Sequence, residues 1–363
     1  MDALPQFEQL PPLYAPWVDA LLGAPIPAER AATCNDCAMC DPGAALPERR
    51  LEFFDPRGKC CTYMPRMWNF LAGAVLADDD PAMAPGRVSI ERRIDAGLAV
   101  TPMGLDHTTR FDLVYEQALP AWGRSLALQC PHFIEEGGGR CAVWRHREST
   151  CATWFCKHVR GAVGREFWVR LHTLLALVER ELARWCVIEL DIGAEAMAAL
   201  FPPLERRRAP VVDADALDGT VNVAAQRRVW GRWFGREREL YRAAAALVAP
   251  LGWDDVVGHC GSEVTIQARL TRDAFQHLTT TDVPEGLHVA RFEAAPSSDG
   301  SVVVTGYSSF DGLRLPPGLV GALRHFDGRP TADAIAAIER EDGMRVTPAL
   351  VRKLADFRVL VGA

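Results

Sequence analysis

Residues 130–156 read CPHFIEEGGGRCAVWRHRESTCATWFC, with Cys130, Cys141, Cys151 and Cys156 separated by glycines, charges and aromatics rather than by a helical or alternating apolar pattern. A stretch like this has little hydrophobic core of its own. Thiolate ligation of a metal substitutes for part of one in short irregular folds. Upstream, Cys34, Cys37 and Cys40 form a C-x2-C-x2-C run, and Cys60 and Cys61 are adjacent. Of the 11 cysteines in the 363-residue chain, nine precede residue 157, and only Cys186 and Cys260 follow. Clustered cysteines in a reducing compartment are metal ligands more often than disulfides, and an odd count fits poorly with complete pairing.

The bulk composition narrows the function classes. Forty basic residues against 47 acidic ones give a formal charge of −7, which argues against a general nucleic-acid binder. No apolar run reaches the roughly 18 residues a membrane helix needs, so no membrane role is expected. The N-terminal MDALPQFEQLPPLY is acidic and broken by proline, unlike a secretory leader, and the expected location is the cytoplasm. No GxxxxGK[ST], HExxH or CxxxCxxC pattern occurs, and no nucleophile–base pair can be read from spacing. Catalytic residues therefore stay unknown, and whether the protein is an enzyme stays open.

Sulfur donors suit zinc, iron and iron–sulfur clusters. C-x2-C-x2-C spacing can direct three sulfurs at one centre, with a remote fourth ligand; Cys130, followed by Pro131, is a candidate for that place. On an extended backbone Cys60 and Cys61 point to opposite faces and would serve two centres or split ligand and reactive roles. The candidate metal ligands are thus Cys34, Cys37, Cys40, Cys60, Cys61, Cys130, Cys141, Cys151 and Cys156. His132, His146 and His158 lie in the same region, and His132, two residues from Cys130, is the best nitrogen candidate. Arg145, Arg147, Lys157 and Arg160 either offset thiolate charge or are ordinary solvated charges. Gly137-Gly138-Gly139 reads as a tight turn. Cys186, beside Trp185, reads as core, and His259-Cys260 as structural.

The chain divides by pattern into an arm (1–30), a Cys-rich metal-binding domain (31–164), a helical domain (165–284) and a β-hairpin with a small α+β domain (285–363). The overall class is α+β. Short helices are expected near Trp17–Leu22 and over Met67–Leu76, the second stopped by Asp78-Asp79-Asp80-Pro81. Phe167, Leu171, Leu174, Val178, Leu182 and Trp185 recur at steps of three and four and predict a long helix. A second helical stretch is expected over Val221–Ala249, its Trp230, Trp233 and Phe234 packing rather than caging a ligand, and Arg206-Arg207-Arg208 reads as a solvated loop. Leu287–Phe292 and Ser301–Tyr307 are β-prone around a turn at 296–300, with another extended segment at Leu313 and Leu315. Near the end, Pro316-Pro317 precedes a helix and Asp327-Gly328 makes a turn. Thr331 is expected to cap a helix closed by Gly343, and Thr347-Pro348 starts the last one.

Two resemblances add to this reading. Cys141-x-Val143-Trp144-x2-Arg147-Glu148-x2-Cys151-x4-Cys156, with Cys130-Pro131-His132-Phe133 and Gly137–Cys141 before it, resembles the zinc- or iron-chelating family named for its CxxCxxCC motif (the YkgJ-type cysteine-cluster proteins). Cys34, Cys37 and Cys40 are similar to the first three cysteines of that motif. The chain departs from the pattern at Asp41, where the fourth cysteine would stand, and at Glu148, where proline follows the arginine; the Cys-Cys pair is displaced to 60 and 61. The resemblance covers about residues 34–160 and implies chelation of zinc or iron. Leu315 to Val361, with Phe326-Asp327-Gly328-Arg329-Pro330-Thr331, resembles a PqqD-like winged-helix domain, which implies a peptide or protein partner met by strand addition. Together they suggest a metal-binding protein, with an iron–sulfur cluster, iron or zinc, that acts by redox or modification chemistry on a peptide. The alternatives are a non-catalytic zinc-stabilised protein and a metal storage or delivery protein.

Overall fold

The computed structural model describes residues 10–29, 37–40, 53–203 and 219–362. Arg206-Arg207-Arg208 and Cys34 lie outside these. The class is α+β with helix dominant and strands confined to small sheets. The chain forms two compact units interleaved in sequence: the first comprises residues 1–24, 33–154 and 172–268, the second 25–32, 155–171 and 269–363.

The described helices before residue 204 are α1 (Ala15–Leu22), α2 (Asn69–Ala77), α3 (Ala84–Ala96), α4 (Thr109–Ala118), α5 (Ser149–Thr153), α6 (Gly161–Glu189) and α7 (Ala194–Leu200). After residue 219 come α8 (Val223–Trp230), α9 (Glu237–Val248), α10 (Trp253–Cys260) and α11 (Ser262–Thr279). The last three are α12 (Pro317–Ala322), α13 (Thr331–Asp342) and α14 (Pro348–Asp356). The apolar stripe predicted from Phe167 onward is the buried face of α6: Phe167, Leu171, Leu174, Val178 and Leu182 are fully enclosed, whereas Trp185, expected on the same face, is only half-buried and its neighbour Cys186 is enclosed instead.

The core of the first unit is helical. In it α2 and α9 approach so closely that a Cβ at Gly73 would sit 1.7 Å from the Tyr241 carbonyl oxygen. Only glycine fits there. The expected helix over Met67–Leu76 starts late, because Met67–Trp68 forms β1 and pairs with β3 (Gly104–Leu105), which in turn pairs with β2 (Val100–Thr101). The single helix expected over Val221–Ala249 is two, α8 and α9. The chain breaks at Gly231 and Gly235, which take φ of +52° and +79°, values that end a right-handed helix. Trp230 is buried there against Tyr241, as packing predicted.

A hairpin of β4 (Phe133–Ile134) and β5 (Arg140–Cys141) crosses the Cys-rich stretch. Gly137, Gly138 and Gly139 at its tip all have positive φ, which three successive L-side chains would not accept. The expected tight turn is present.

In the second unit β7 (Glu293–Pro296), β8 (Val302–Thr305) and β9 (Leu313–Leu315) make an antiparallel sheet, and β6 (Leu287–Val289) pairs with β10 (Leu360–Gly362). Leu313, Leu315, Leu319, Phe326, Ile338, Val351, Leu354 and Leu360 are among the residues of its core. Thr347 caps α14 by accepting from the Leu350 amide, and Gly343 closes α13 in the left-handed region, both as expected. Thr331 does not cap α13. It sits one residue inside, its hydroxyl donates to the Pro284 carbonyl, and Glu285 accepts from its amide instead.

Candidate metal centre

None of the ten described cysteines is in a disulfide. Cys37 and Cys40 sit on a tight turn, with the Cys40 amide donating to the Cys37 carbonyl at 3.0 Å, and the turn is tied down by the Phe54 amide on the Met39 carbonyl at 2.7 Å. Burial, then the neighbouring Cys37 thiol, push the Cys40 thiol up to about 12.

Cys60 and Cys61 are not on extended backbone. They lie on a single 3-10 turn, Lys59–Thr62, entered through Lys59 at φ +53°. That geometry brings the two thiols within hydrogen-bonding reach instead of to opposite faces. Cys60 is exposed, and the Cys61 thiol beside it, the local backbone and Lys59 pull it below the ordinary thiol value. Cys61 is pushed up by its contact with Cys60, by burial, and by the charges of Cys141 and Cys130. Lys59 itself is buried, and its ammonium donates to the Gly138 carbonyl and, at 3.2 Å, to the Gly139 carbonyl. This bond ties the cysteine pair to the glycine turn.

Cys130 is joined to the same place by its amide, which donates to the Cys61 carbonyl at 2.7 Å. Burial and then Cys141 push its thiol up to about 12, with Arg93 opposing. Cys141 lies on β5 opposite Phe133. Cys151 is on α5, its thiol raised by burial, Glu148, Cys141, Cys130 and Cys60. Glu148 is the N-cap of that helix, accepting from the amides of Thr150 at 2.7 Å and Cys151 at 2.8 Å. It stands where the resembled pattern has proline, so the position supplies a carboxylate cap as well as turn geometry. Cys37, Cys40, Cys60, Cys61, Cys130, Cys141 and Cys151 therefore share one electrostatic neighbourhood of the first unit. Cys156 belongs to the second unit. Among the described residues, no group of three or more His, Cys, Asp or Glu side chains is arranged to hold a metal ion as it stands.

His132 is buried. Its Nδ1 lies 2.9 Å from the Ser89 hydroxyl on α3, and that hydroxyl donates to the Pro131 carbonyl at 2.7 Å. Burial, with Arg93 adding to it, holds the imidazole neutral, its pKa lowered to about 3. The other histidines are engaged elsewhere. His146 Nε2 meets Asp78 at 2.8 Å, and His158 Nδ1 meets the Tyr307 hydroxyl at 3.2 Å in the second unit. Three of the four basic residues singled out in this stretch have partners other than the thiols. Arg145 pairs with Asp78 and Asp80, Arg160 pairs with Asp356, and Arg147 stacks on Trp144 with 3.7 Å from its guanidinium carbon to the ring centre.

A second buried polar centre escaped the sequence reading. Glu179 on α6 accepts at one carboxylate oxygen from the Tyr14 hydroxyl and the Ser149 amide, the latter at 2.7 Å. Its other oxygen accepts from Trp68 Nε1 at 3.1 Å and the Ser149 hydroxyl at 2.7 Å. Burial and the nearby Glu148 charge push its carboxyl up to about 8. Cys186 is core, as expected, and His259 stacks on Trp185 with ring centres 4.2 Å apart. A cavity of about 530 Å³, lined by residues 97–101, 107–110 and the start of α8, carries no cysteine.

None of the family models, curated proteins or solved structures compared with this chain matches it.

Proposed function

We propose that the first unit is a metal-binding module whose ligands come from Cys37, Cys40, Cys60, Cys61, Cys130, Cys141 and Cys151, with Cys34 as the remaining candidate of that unit. The observation that carries this reading is the gathering of thiols from separate stretches of chain, held by backbone bonds such as Cys130 N to Cys61 O. Packing alone gives little reason to collect so many thiols whose ionised forms would repel one another. Chelation does, because the metal takes the place of each ligand thiol's proton, the protons leave to solvent, and the cation's charge offsets that of the thiolates. Since no three donors stand ready, binding requires side-chain rotation around this frame. Soft sulfur suits zinc, mononuclear iron or an iron–sulfur cluster. Zinc there would brace the fold, whereas iron would add electron transfer.

The test is purification without air, elemental analysis and an absorption spectrum. The reading expects stoichiometric iron or zinc, lost when Cys61, Cys130 and Cys141 are changed to serine. Metal-free protein whose cysteines all react as free thiols after growth in metal-replete medium would sink it. A brown protein would favour the redox version, and a colourless zinc protein the structural one.

For the second unit, the reading is a docking site for a peptide or protein partner. It is supported by β7, an edge strand whose four residues are all exposed. An exposed edge offers main-chain groups to an added strand, although Pro296 contributes no donor. A β7 variant with proline at Ala294 should abolish capture of such a partner without changing metal content.

A further inference from the structure

Among the described residues, His132 Nε2 and Arg93 Nη1 are buried without a hydrogen-bond partner. Leaving a buried polar atom unmet costs the full loss of its hydration, so native structures usually answer such atoms with water, an ion or a ligand.

The hydrogen bonds around His132 say which form of the ring is present. The Ser89 hydroxyl owns one proton. The Pro131 carbonyl can only accept, and it takes that proton at 2.7 Å. His132 Nδ1, 2.9 Å from the same oxygen, must then be the donor. Its Nε2 is left as a bare lone pair, in a side chain with 1% of its surface exposed. Fixing one ring nitrogen as N–H so that the other presents a lone pair is how proteins prepare a histidine to bind a metal. Arg93 complements this. Its Nη2 is held by the Asp106 carbonyl at 2.6 Å, and its charge acts on both Cys130 and His132. A free N–H is the wrong group for a cation and the right one for a thiolate sulfur.

We infer that His132 Nε2 is the nitrogen ligand of a mixed sulfur–nitrogen centre that includes Cys130, and that Arg93 is a positioning residue donating to the Cys130 thiolate. One bound ion answers both unmet atoms. This rests on the metal reading above and narrows it, since a site with imidazole among its ligands suits a single zinc or iron(II) ion better than an all-thiolate cluster.

The experiment uses the full chain, purified without air, stripped with a chelator and reloaded with zinc. X-ray absorption at the zinc edge should show the outer-shell scattering of an imidazole together with sulfur. His132→Asn keeps an amide nitrogen near the place of Nδ1 and deletes Nε2. It should lose the imidazole signature and weaken zinc at least about 10-fold in competition with a chromophoric chelator. Stoichiometric zinc with sulfur-only scattering in the unchanged protein overturns the inference and needs no variant to fold. So does imidazole scattering that survives in His132→Asn, or a zinc-loaded crystal structure in which a water bridges His132 Nε2 and Arg93 Nη1. In each of these the metal is still bound and the broader reading stands. If the reduced, unchanged protein takes up no zinc or iron, the broader reading falls and the inference falls with it.

Discussion

Glu179 and His132 are both buried in the first unit with 1% of their surface exposed, yet one is saturated with partners and the other is half empty. Glu179 receives donors from α1, β1 and the start of α5, and two of them are hydroxyls, which can reverse roles if the carboxyl is protonated. It can therefore hold three elements together in either charge state. His132 has one nitrogen pinned and one left over. A network with every group paired rigidifies a fold, whereas one with a group unpaired is complete only with something added. On this comparison Glu179 is a completed structural centre, and His132 is the residue on which the metal proposal turns.

The largest effect should follow from emptying the saturated centre. Glu179→Ala would strand the Tyr14 hydroxyl, the Trp68 N–H and the Ser149 N–H, and should cost about 3–5 kcal/mol in urea unfolding. Next, saturating zinc should stabilise the unchanged protein by about 2.7 kcal/mol at a hundredfold excess over Kd, an increment that Cys130→Ser should abolish. Zinc-induced stabilisation that survives in Cys130→Ser would break the contrast between the two centres.

The pH dependence sharpens it further. The Glu179 carboxyl is raised on folding from 4.5 to about 8. A raised folded value means the native state holds the proton more tightly. Its contribution is then full below about pH 4.5 and fades as pH climbs through 8. Glu179→Gln should flatten the stability profile over that window, and an unchanged slope would show that the carboxyl is already ionised throughout. Ser89→Ala should cost only about 1 kcal/mol in stability while weakening metal retention, because the hydroxyl orients His132 more than it braces the fold. At the bottom of the scale, Glu166→Gln breaks an exposed pair with Arg170 on α6 and should shift stability by less than about 0.5 kcal/mol.

What could be read from the sequence divides by range. The stripe from Phe167 to Leu182, the cap at Thr347 and the stop at Gly343 are local signals, and each holds in the structure. The Glu179 centre was invisible because its partners are 30, 111 and 165 residues away, and a lone glutamate between apolar positions looks solvated. His132 drew notice only as a neighbour of Cys130. The serine that sets its tautomer lies 43 residues upstream, on α3. Cys60 and Cys61 were misread because extended geometry was assumed, and the left-handed step at Lys59 has no sequence signature comparable to a glycine. Thr331 looked like a cap, but Glu285, 46 residues earlier, meets its amide instead.

The glycine turn at 137–139 also bears on the order of assembly. Three glycines lose more chain freedom on ordering than any other residues would, so this hairpin has little tendency to close unaided. What holds it is Lys59, which reaches the Gly138 and Gly139 carbonyls across 79 and 80 residues of chain. A long loop must close before that bond forms, and such contacts come late in folding. The same closure brings Cys60 and Cys61 to Cys130. Cys60 and Cys61 therefore meet Cys130 only through a contact that closes a long loop.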